Sequence, residues 1–164
     1  GNVTRILTDE GYVTFNGITP VYHYYLKDHL GNNRVVLGQN GAVEQVNHYY
    51  PFGGLMGEST GGSTQPYKYN GKELDRTNGL DWCDYGARWY DPTVPIFMTV
   101  DHHCEKYYNI SPYVYCGDNP INAIDPDGRH KKNYILREGD KNVVNTFAHG
   151  ANYASNKNSH GLKI

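Results

Sequence analysis

Apolar and polar positions alternate along this chain in short runs, and nearly every run is cut off by a glycine, a proline or an Asn/Asp step. In the first third, Arg5-Ile6-Leu7 leads through Asp9-Glu10-Gly11 to Tyr12-Val13-Thr14-Phe15. Arg34-Val35-Val36-Leu37 likewise leads through Gln39-Asn40-Gly41 to Ala42-Val43. The two units align at an offset of 30 residues, with Ile6, Leu7, Gly11 and Val13 falling on Val36, Leu37, Gly41 and Val43. A period of two inside each run, with turn-formers between runs, predicts a repeat of β-hairpins. Asn40-Gly41 is the strongest of these turns, because both residues tolerate the positive φ of a two-residue hairpin loop. Between the units, Val21-Tyr22-His23-Tyr24-Tyr25-Leu26 is β-prone, and Asp28 to Asn33 is the loop that returns the chain. Hairpins of this kind cannot bury a face alone, so they extend one sheet by stacking on their neighbours.

Further along, Asn47-His48-Tyr49-Tyr50-Pro51-Phe52-Gly53 closes the second unit, and Gly57 to Pro66 is a Gly/Ser/Thr-rich surface loop. The β pattern resumes over Tyr67 to Asp75. Asn78-Gly79 then offers a second hairpin turn, feeding Leu80 to Tyr85 and Ala87 to Tyr90. After Val100 two short helical turns are expected, at Glu105 to Tyr108 and at Asn119 to Ile124. The second has Asn119 as N-cap and Pro120 at the first helical position. The expected fold class is therefore mainly β, antiparallel hairpins or a meander, with a few short helices.

Composition sharpens this picture. With 38% hydrophobic residues, 19 Gly and 8 Pro in 164 residues, little material remains for long buried helices, and 16 tyrosines make an aromatic core. A net charge of −2 without a basic stripe argues against a nucleic-acid partner. There is no apolar run of membrane-spanning length and no signal-peptide pattern, and the chain reads as an excised fragment. Three irregularly spaced cysteines, Cys83, Cys104 and Cys116, fit neither a disulfide framework nor paired zinc knuckles and read as free thiols.

The densest motif lies between Asp81 and Gly128. It comprises Tyr85-Gly86-Ala87-Arg88-Trp89-Tyr90-Asp91-Pro92, then Asp101, then Ser111-Pro112-Tyr113-Val114-Tyr115, and finally Asn119-Pro120-Ile121-Asn122-Ala123-Ile124-Asp125-Pro126-Asp127-Gly128. This stretch resembles the RHS repeat-associated core domain of the RHS/YD-repeat polymorphic toxins. The Tyr-x-Tyr-plus-turn pattern upstream and the Tyr-Pro-Phe-Gly and Asn-Gly-Lys-Glu steps are also similar to that family. The resemblance implies three segments: YD-repeat-like hairpins over 1–66, the core over 67–128, and the start of a variable effector segment over 129–164. It implies a shell that encloses the effector, with a secreted or cell-surface location. The implied partners are the rest of that shell and the effector segment, and open sheet edges add a possible homo-oligomer.

The resemblance also implies chemistry. Asp101 and Asp125 occupy the places of paired aspartates that, in self-cleaving members, act as an aspartyl-protease-like pair and sever the chain just after the second Asp-Pro-x-Gly motif. Two adjacent carboxyls suit such work because like charges raise one pKa, leaving a base and an acid side by side. Asp125-Pro126-Asp127-Gly128 matches that motif fully. Asp101-His102-His103-Cys104 keeps only its aspartate, and Arg129 replaces the usual leucine. The expectation is that Asp101 is not fixed in place and that the Arg129–His130 bond stays intact. Arg88, set among aromatics, suits an ion pair or ring stacking more than catalysis, and completes the candidate site for self-cleavage.

Other chemistry is sparse. No cofactor site is marked, since nucleophile-elbow and phosphate-loop motifs are missing. No metal site is expected either, because His102-His103-Cys104 are three consecutive residues and a site would need Cys116 or another distant ligand. Phe147-Ala148-His149-Gly150 resembles a short element of some toxin domains appended to such cores. The favoured role is structural, a plug closing the shell without freestanding enzyme activity. The alternatives are an intramolecular autoprotease and a carbohydrate- or surface-binding β module displaying its aromatics.

Overall fold

The computed structural model describes residues 4–61, 65–129, 131–135 and 143–146. The Phe147-Ala148-His149-Gly150 element and His130 lie outside the described residues, as does most of the 129–164 segment. The fold is mainly β and antiparallel, and its helical elements among the described residues are four three-residue 3-10 turns, three of which carry a residue of non-helical φ/ψ. The chain divides into two compact units, 1–74 and 75–164.

The first unit is built on a five-stranded antiparallel sheet in sequential order: β1 (Arg5–Thr8), β2 (Gly11–Asn16), β3 (Thr19–Lys27), β4 (Asn33–Gly38) and β5 (Val43–Val46). Both hairpins of the 30-residue repeat are present, but in different registers. In the first, Leu7 faces Tyr12 across the two-residue turn Asp9-Glu10. In the second, a bulge brings Leu37 opposite Val43. The predicted two-residue loop at Asn40-Gly41 is a three-residue loop, closed by a Gly38 N–H bond to the Ala42 carbonyl. Gly41 alone takes positive φ (81°), while the Asn40 side chain accepts from the Ala42 N–H. A longer loop with one left-handed residue is the other common way to match strand twist.

The two faces of this sheet differ sharply. Tyr12, Val36 and Gln45 point to a side covered by the segment that follows β5, in which Tyr49, Gln65, Lys68 and Tyr69 are buried. On the opposite side Ile6, Tyr22, Tyr24, Leu26 and Val43 are exposed. The loop expected to be a solvated linker is therefore partly structural. Thr60 bridges to Val46, and Gln65 is tied to Gln45 (2.9 Å) and to the Tyr67 carbonyl (2.6 Å). Tyr67 to Asp75 is not continuous strand. A 3-10 turn at Tyr69–Gly71, with Asn70 at φ 50°, precedes the short β6 (Glu73–Asp75). At Gly53 (φ 93°) an added Cβ would lie 2.5 Å from the Tyr69 ring, so only glycine admits that ring.

In the second unit β7 (Trp82–Asp84), β8 (Trp89–Asp91) and β9 (Ile96–Phe97) run antiparallel, as do β10 (Ala123–Ile124), β11 (Lys132–Ile135) and β12 (Val143–Thr146). The expected turn at Asn78-Gly79 forms: both residues take positive φ (54° and 77°), and the Leu80 N–H donates to the Thr77 carbonyl at 3.1 Å; strand begins after Asp81, itself at φ 51°. The helical turn expected at Asn119 to Ile124 gives way to other structure. A turn with positive φ at Cys116, Gly117 and Asp118 (52°, 60° and 58°) precedes it, and Ala123, 1% exposed, enters strand pairing with Asn133. Burying Ala123 in the sheet outweighs the local capping signal. The other helical turn shifts to Cys104–Lys106. The core is the predicted aromatic one. Tyr85, Tyr90, Phe97 and Tyr115 are buried, with ring centroids 4.4 to 5.8 Å apart, mostly edge-on or tilted.

Candidate functional site

A single arginine organises the second unit. Arg88 ends the turn that begins at Tyr85, where the Tyr85 N–H donates to the Arg88 carbonyl, and β8 starts at the next residue. Its side chain is 4% exposed. The guanidinium carbon sits 3.7 Å from the centroid of the Phe97 ring, so an apolar wall covers one face and every polar contact lies around the rim.

Along that rim, Nη2 contacts Asp101 Oδ2 at 2.9 Å and Asp125 Oδ2 at 3.2 Å. Nε donates to the Gly128 carbonyl at 2.5 Å and Nη1 to the Pro112 carbonyl at 3.3 Å. The three residues singled out from the sequence, Arg88, Asp101 and Asp125, are thus gathered at one point from segments far apart in the chain. The expectation that Asp101 lacks a fixed position is corrected. Its Oδ1 accepts the His103 N–H at 2.7 Å, its own N–H donates to the Pro112 carbonyl, and the Cys104 N–H donates back to its carbonyl. The aspartate makes this turn through its own side chain, so the missing Pro and Gly are not needed.

Asp125 is held more tightly. It is 3% exposed at the side chain, and its Oδ1 accepts the N–H groups of Asp127 (3.2 Å), Gly128 (2.8 Å) and Arg129 (3.2 Å). Burial pushes its pKa above the ordinary carboxylate value, while Arg88 and the N–H donors work in the opposite direction. Gly128 is required by contact: at φ 74°, an added Cβ would lie 2.9 Å from the Arg88 nitrogen and 3.2 Å from Tyr85 Cβ. A cavity of about 250 Å³ opens beside Arg88, Asp101 and Asp125, walled by Tyr107, Ile110, Val114 and Arg129 among others.

The sequence reading weighed ring stacking and ion pairing as alternatives for Arg88, and both occur. What it missed are the carbonyls of Pro112 and Gly128 as acceptors, because main-chain acceptors leave no mark in residue identity. The cysteines are free, with Cys83 and Cys116 buried and pushed up to about 12 by burial. Among the described residues no three His, Cys, Asp or Glu side chains gather as metal ligands, so His102, His103 and Cys104 form no such group there. No helix of the described residues is long and apolar enough to cross a membrane.

Comparison with known proteins places this geometry in context. No protein-family model matches the chain. Salivary gland surface protein 1 of Aedes aegypti is 37% identical over 117 residues, covering 70% of this chain and 3% of that protein. The crystal structure of TcdB2-TccC3-Cdc42 aligns at 26% identity with a TM-score of 0.57, over 66% of this chain and 5% of that one. The crystal structure of TcdB2-TccC3 aligns at 25% identity with a TM-score of 0.58, over 71% and 6%. The Photorhabdus luminescens Tc holotoxin pore aligns at 20% identity and a TM-score of 0.58, over 81% and 7%. The chain therefore has an RHS-related fold and spans only a few per cent of the length of the proteins it matches.

Proposed function

We propose that this chain is the closing core of an RHS-type shell. In this reading residues 1–66 continue the shell wall, residues 67–128 form the plug, and residues 129–164 begin the segment that the shell encloses. The observation that carries it is the buried Arg88 clamp. It holds the Gly128 carbonyl and both aspartates at the point where the chain leaves the core, so whatever follows departs from a fixed position. The likeness to TccC3 chains supports the reading, and the name of the mosquito relative suits a secreted or cell-surface location. A chimera tests it: a TccC3 chain whose matching segment is replaced by residues 1–128 should co-purify with TcdB2 as one particle and lose that ability on Arg88→Met. A soluble, folded chimera that never joins TcdB2 rejects the proposal.

A second reading, self-cleavage, is favoured by the two aspartates sharing one nitrogen of Arg88. Burial raises the pKa of Asp125, so this carboxyl is biased toward holding a proton beside a second carboxyl group. The test is intact mass over time and pH, with Asp101→Asn and Asp125→Asn as controls. A wild-type chain that never breaks near Gly128 removes this reading and leaves the plug in place.

A further inference from the structure

A cluster of polar groups in the first unit plays no part in the plug role. On the Tyr12 face of the sheet, Thr14 Oγ1 and His23 Nε2 are 2.9 Å apart, and His23 Nδ1 lies 2.6 Å from Glu44 Oε2. A carboxylate only accepts hydrogen bonds. Nδ1 therefore carries the proton of a neutral ring here, and Nε2 turns its lone pair to the Thr14 hydroxyl. Hydroxyl, imidazole and carboxylate thus stand in the order nucleophile, base and orienter. We propose that Thr14 is an activated nucleophile that takes the acyl group of small aryl esters, with His23 as its general base and Glu44 as a positioning residue.

Four neighbouring strands, β2 to β5, build this row. Tyr12 pairs with His23 across β2 and β3. Their rings stack with centroids 4.3 Å apart and planes 8° apart, which fixes the plane of the imidazole. His23 pairs in turn with Gly38 on β4. Between β4 and β5, Val36 faces Gln45 and Leu37 faces Val43, so Glu44 is the extra residue of a bulge, a device that re-aims a side chain. An added Cβ at Gly38 would lie 2.7 Å from Glu44 Oε1, so the lack of a side chain there lets the carboxylate reach across to His23.

The His23 side chain is 12% exposed and that of Glu44 29%, while Thr14 is half-buried. The base is shielded, and the hydroxyl stays within reach of a small reagent. Arg5 pairs with Thr14 across β1 and β2 and holds its guanidinium carbon 4.6 Å from the Tyr12 ring centroid. This brings positive charge to the strand beside the reacting hydroxyl, where an oxyanion would form. A half-buried secondary hydroxyl suits acyl donors whose leaving group departs without a proton, which is why aryl esters are the substrate class.

The step balances as acyl transfer. Thr14 Oγ1 bonds to the acyl carbon and its proton passes to His23 Nε2. The bond from that carbon to the aryl oxygen breaks, the aryl oxide leaves, and the proton on His23 returns to solvent. Water then attacks the acyl carbon and gives a proton to His23, which passes it to the departing Thr14 oxygen. The products are a carboxylic acid and the restored hydroxyl.

The experiment mixes the purified full chain with p-nitrophenyl acetate, follows nitrophenolate release and locates the acetyl group by peptide mass spectrometry after acid quenching. The expected result is acetyl on Thr14, lost in Thr14→Val, retained in Thr14→Ser, and formed about 100-fold or more slowly in His23→Gln. Gly38→Ala keeps all three groups and should slow the reaction about 10- to 100-fold by displacing the carboxylate. Glu44→Gln should do the same and also move the low-field proton NMR resonance of the His23 Nδ1–H, which a loss of packing alone leaves in place. Far-ultraviolet circular dichroism confirms that each variant is folded. Acetyl confined to lysines or the amino terminus overturns the proposal, as does nitrophenolate release at an unchanged rate in Thr14→Val. If His23→Gln does not fold, Gly38→Ala decides: acetylation of Thr14 at the wild-type rate in that variant overturns the proposal as well.

Discussion

Replacing Arg88 by methionine keeps much of the side chain's apolar stem against Phe97 and removes only the charge and the donors. What remains is a carboxylate at Asp125 that is 3% exposed, a second at Asp101 that is 20% exposed, and a Gly128 carbonyl that has lost the Arg88 donor, while the Pro112 carbonyl keeps the Asp101 N–H. Removing one partner of a buried ion pair costs about 3–5 kcal/mol, because the other charge is left uncompensated. Against a whole-domain stability of about 5–15 kcal/mol, this threatens the second unit outright. Both tryptophans, Trp82 and Trp89, lie in that unit, so fluorescence-detected urea unfolding reports on it selectively. The loss should shrink as pH falls, since a protonated Asp125 no longer needs a cation. Without Arg88, which now lowers its pKa, Asp125 protonates at higher pH than in the wild type. A loss under about 1 kcal/mol at pH 7, or one that is the same at neutral and acid pH, refutes the idea that Arg88 works by compensating buried charge.

Other tests are simpler. Because the Asp125 pKa is raised on folding, the native state holds more protons than the unfolded chain between the ordinary carboxylate range and the raised value. Its contribution to stability therefore falls as pH rises through that window, and Asp125→Asn should flatten this part of the pH profile of the urea midpoint. Buried Cys83 and Cys116, at about 12, keep only roughly one part in ten thousand as thiolate at pH 8. A colorimetric disulfide reagent should thus titrate half-buried Cys104 first and the other two only on unfolding. Gly53→Ala places a methyl 2.5 Å from the Tyr69 ring at φ 93°, and should lower the melting point of the first unit by an amount equivalent to about 1–3 kcal/mol. Light scattering on the isolated chain should show concentration-dependent association through the sheet edge at β1; a strict monomer at high concentration counts against edge pairing.

The elements that were legible in the sequence are those whose cause is local. Strand runs such as Tyr12 to Phe15 and Arg34 to Leu37 carry their own period, and their turns carry Gly, Asn and Asp. The misplacements arise where distant packing decides. Ala123-Ile124 reads as the continuation of an Asn-Pro helix start, yet it pairs with strand residues Asn133 and Lys132, and Ala123 is buried. Gln65 reads as linker, yet its amide completes the hydrogen bonding of buried Gln45. At the site, Arg88, Asp101 and Asp125 were identifiable by residue type and motif. Their common meeting point was not, since it depends on Phe97 turning a flat apolar face to the guanidinium and on carbonyls that any residue supplies. Asp101 shows the opposite error. The departures from the motif suggested a loose aspartate, but one side-chain bond to the His103 N–H restores the turn.

The bond between Arg88 and Gly128 joins residues at either end of the second unit's core, and it has a consequence for the order in which the protein is made. A ribosome delivers Arg88 first and Asp125 and Gly128 last. Until those final residues emerge, the guanidinium has at most Asp101 and Pro112 to receive it, and the aromatic pocket around it has no reason to close. The second unit therefore completes its folding only when synthesis has passed Gly128. A transcript cut short before Asp125 would yield an open core with a bare arginine, ready for degradation, while the first unit, whose sheet is complete by Val46, could already have formed on the nascent chain.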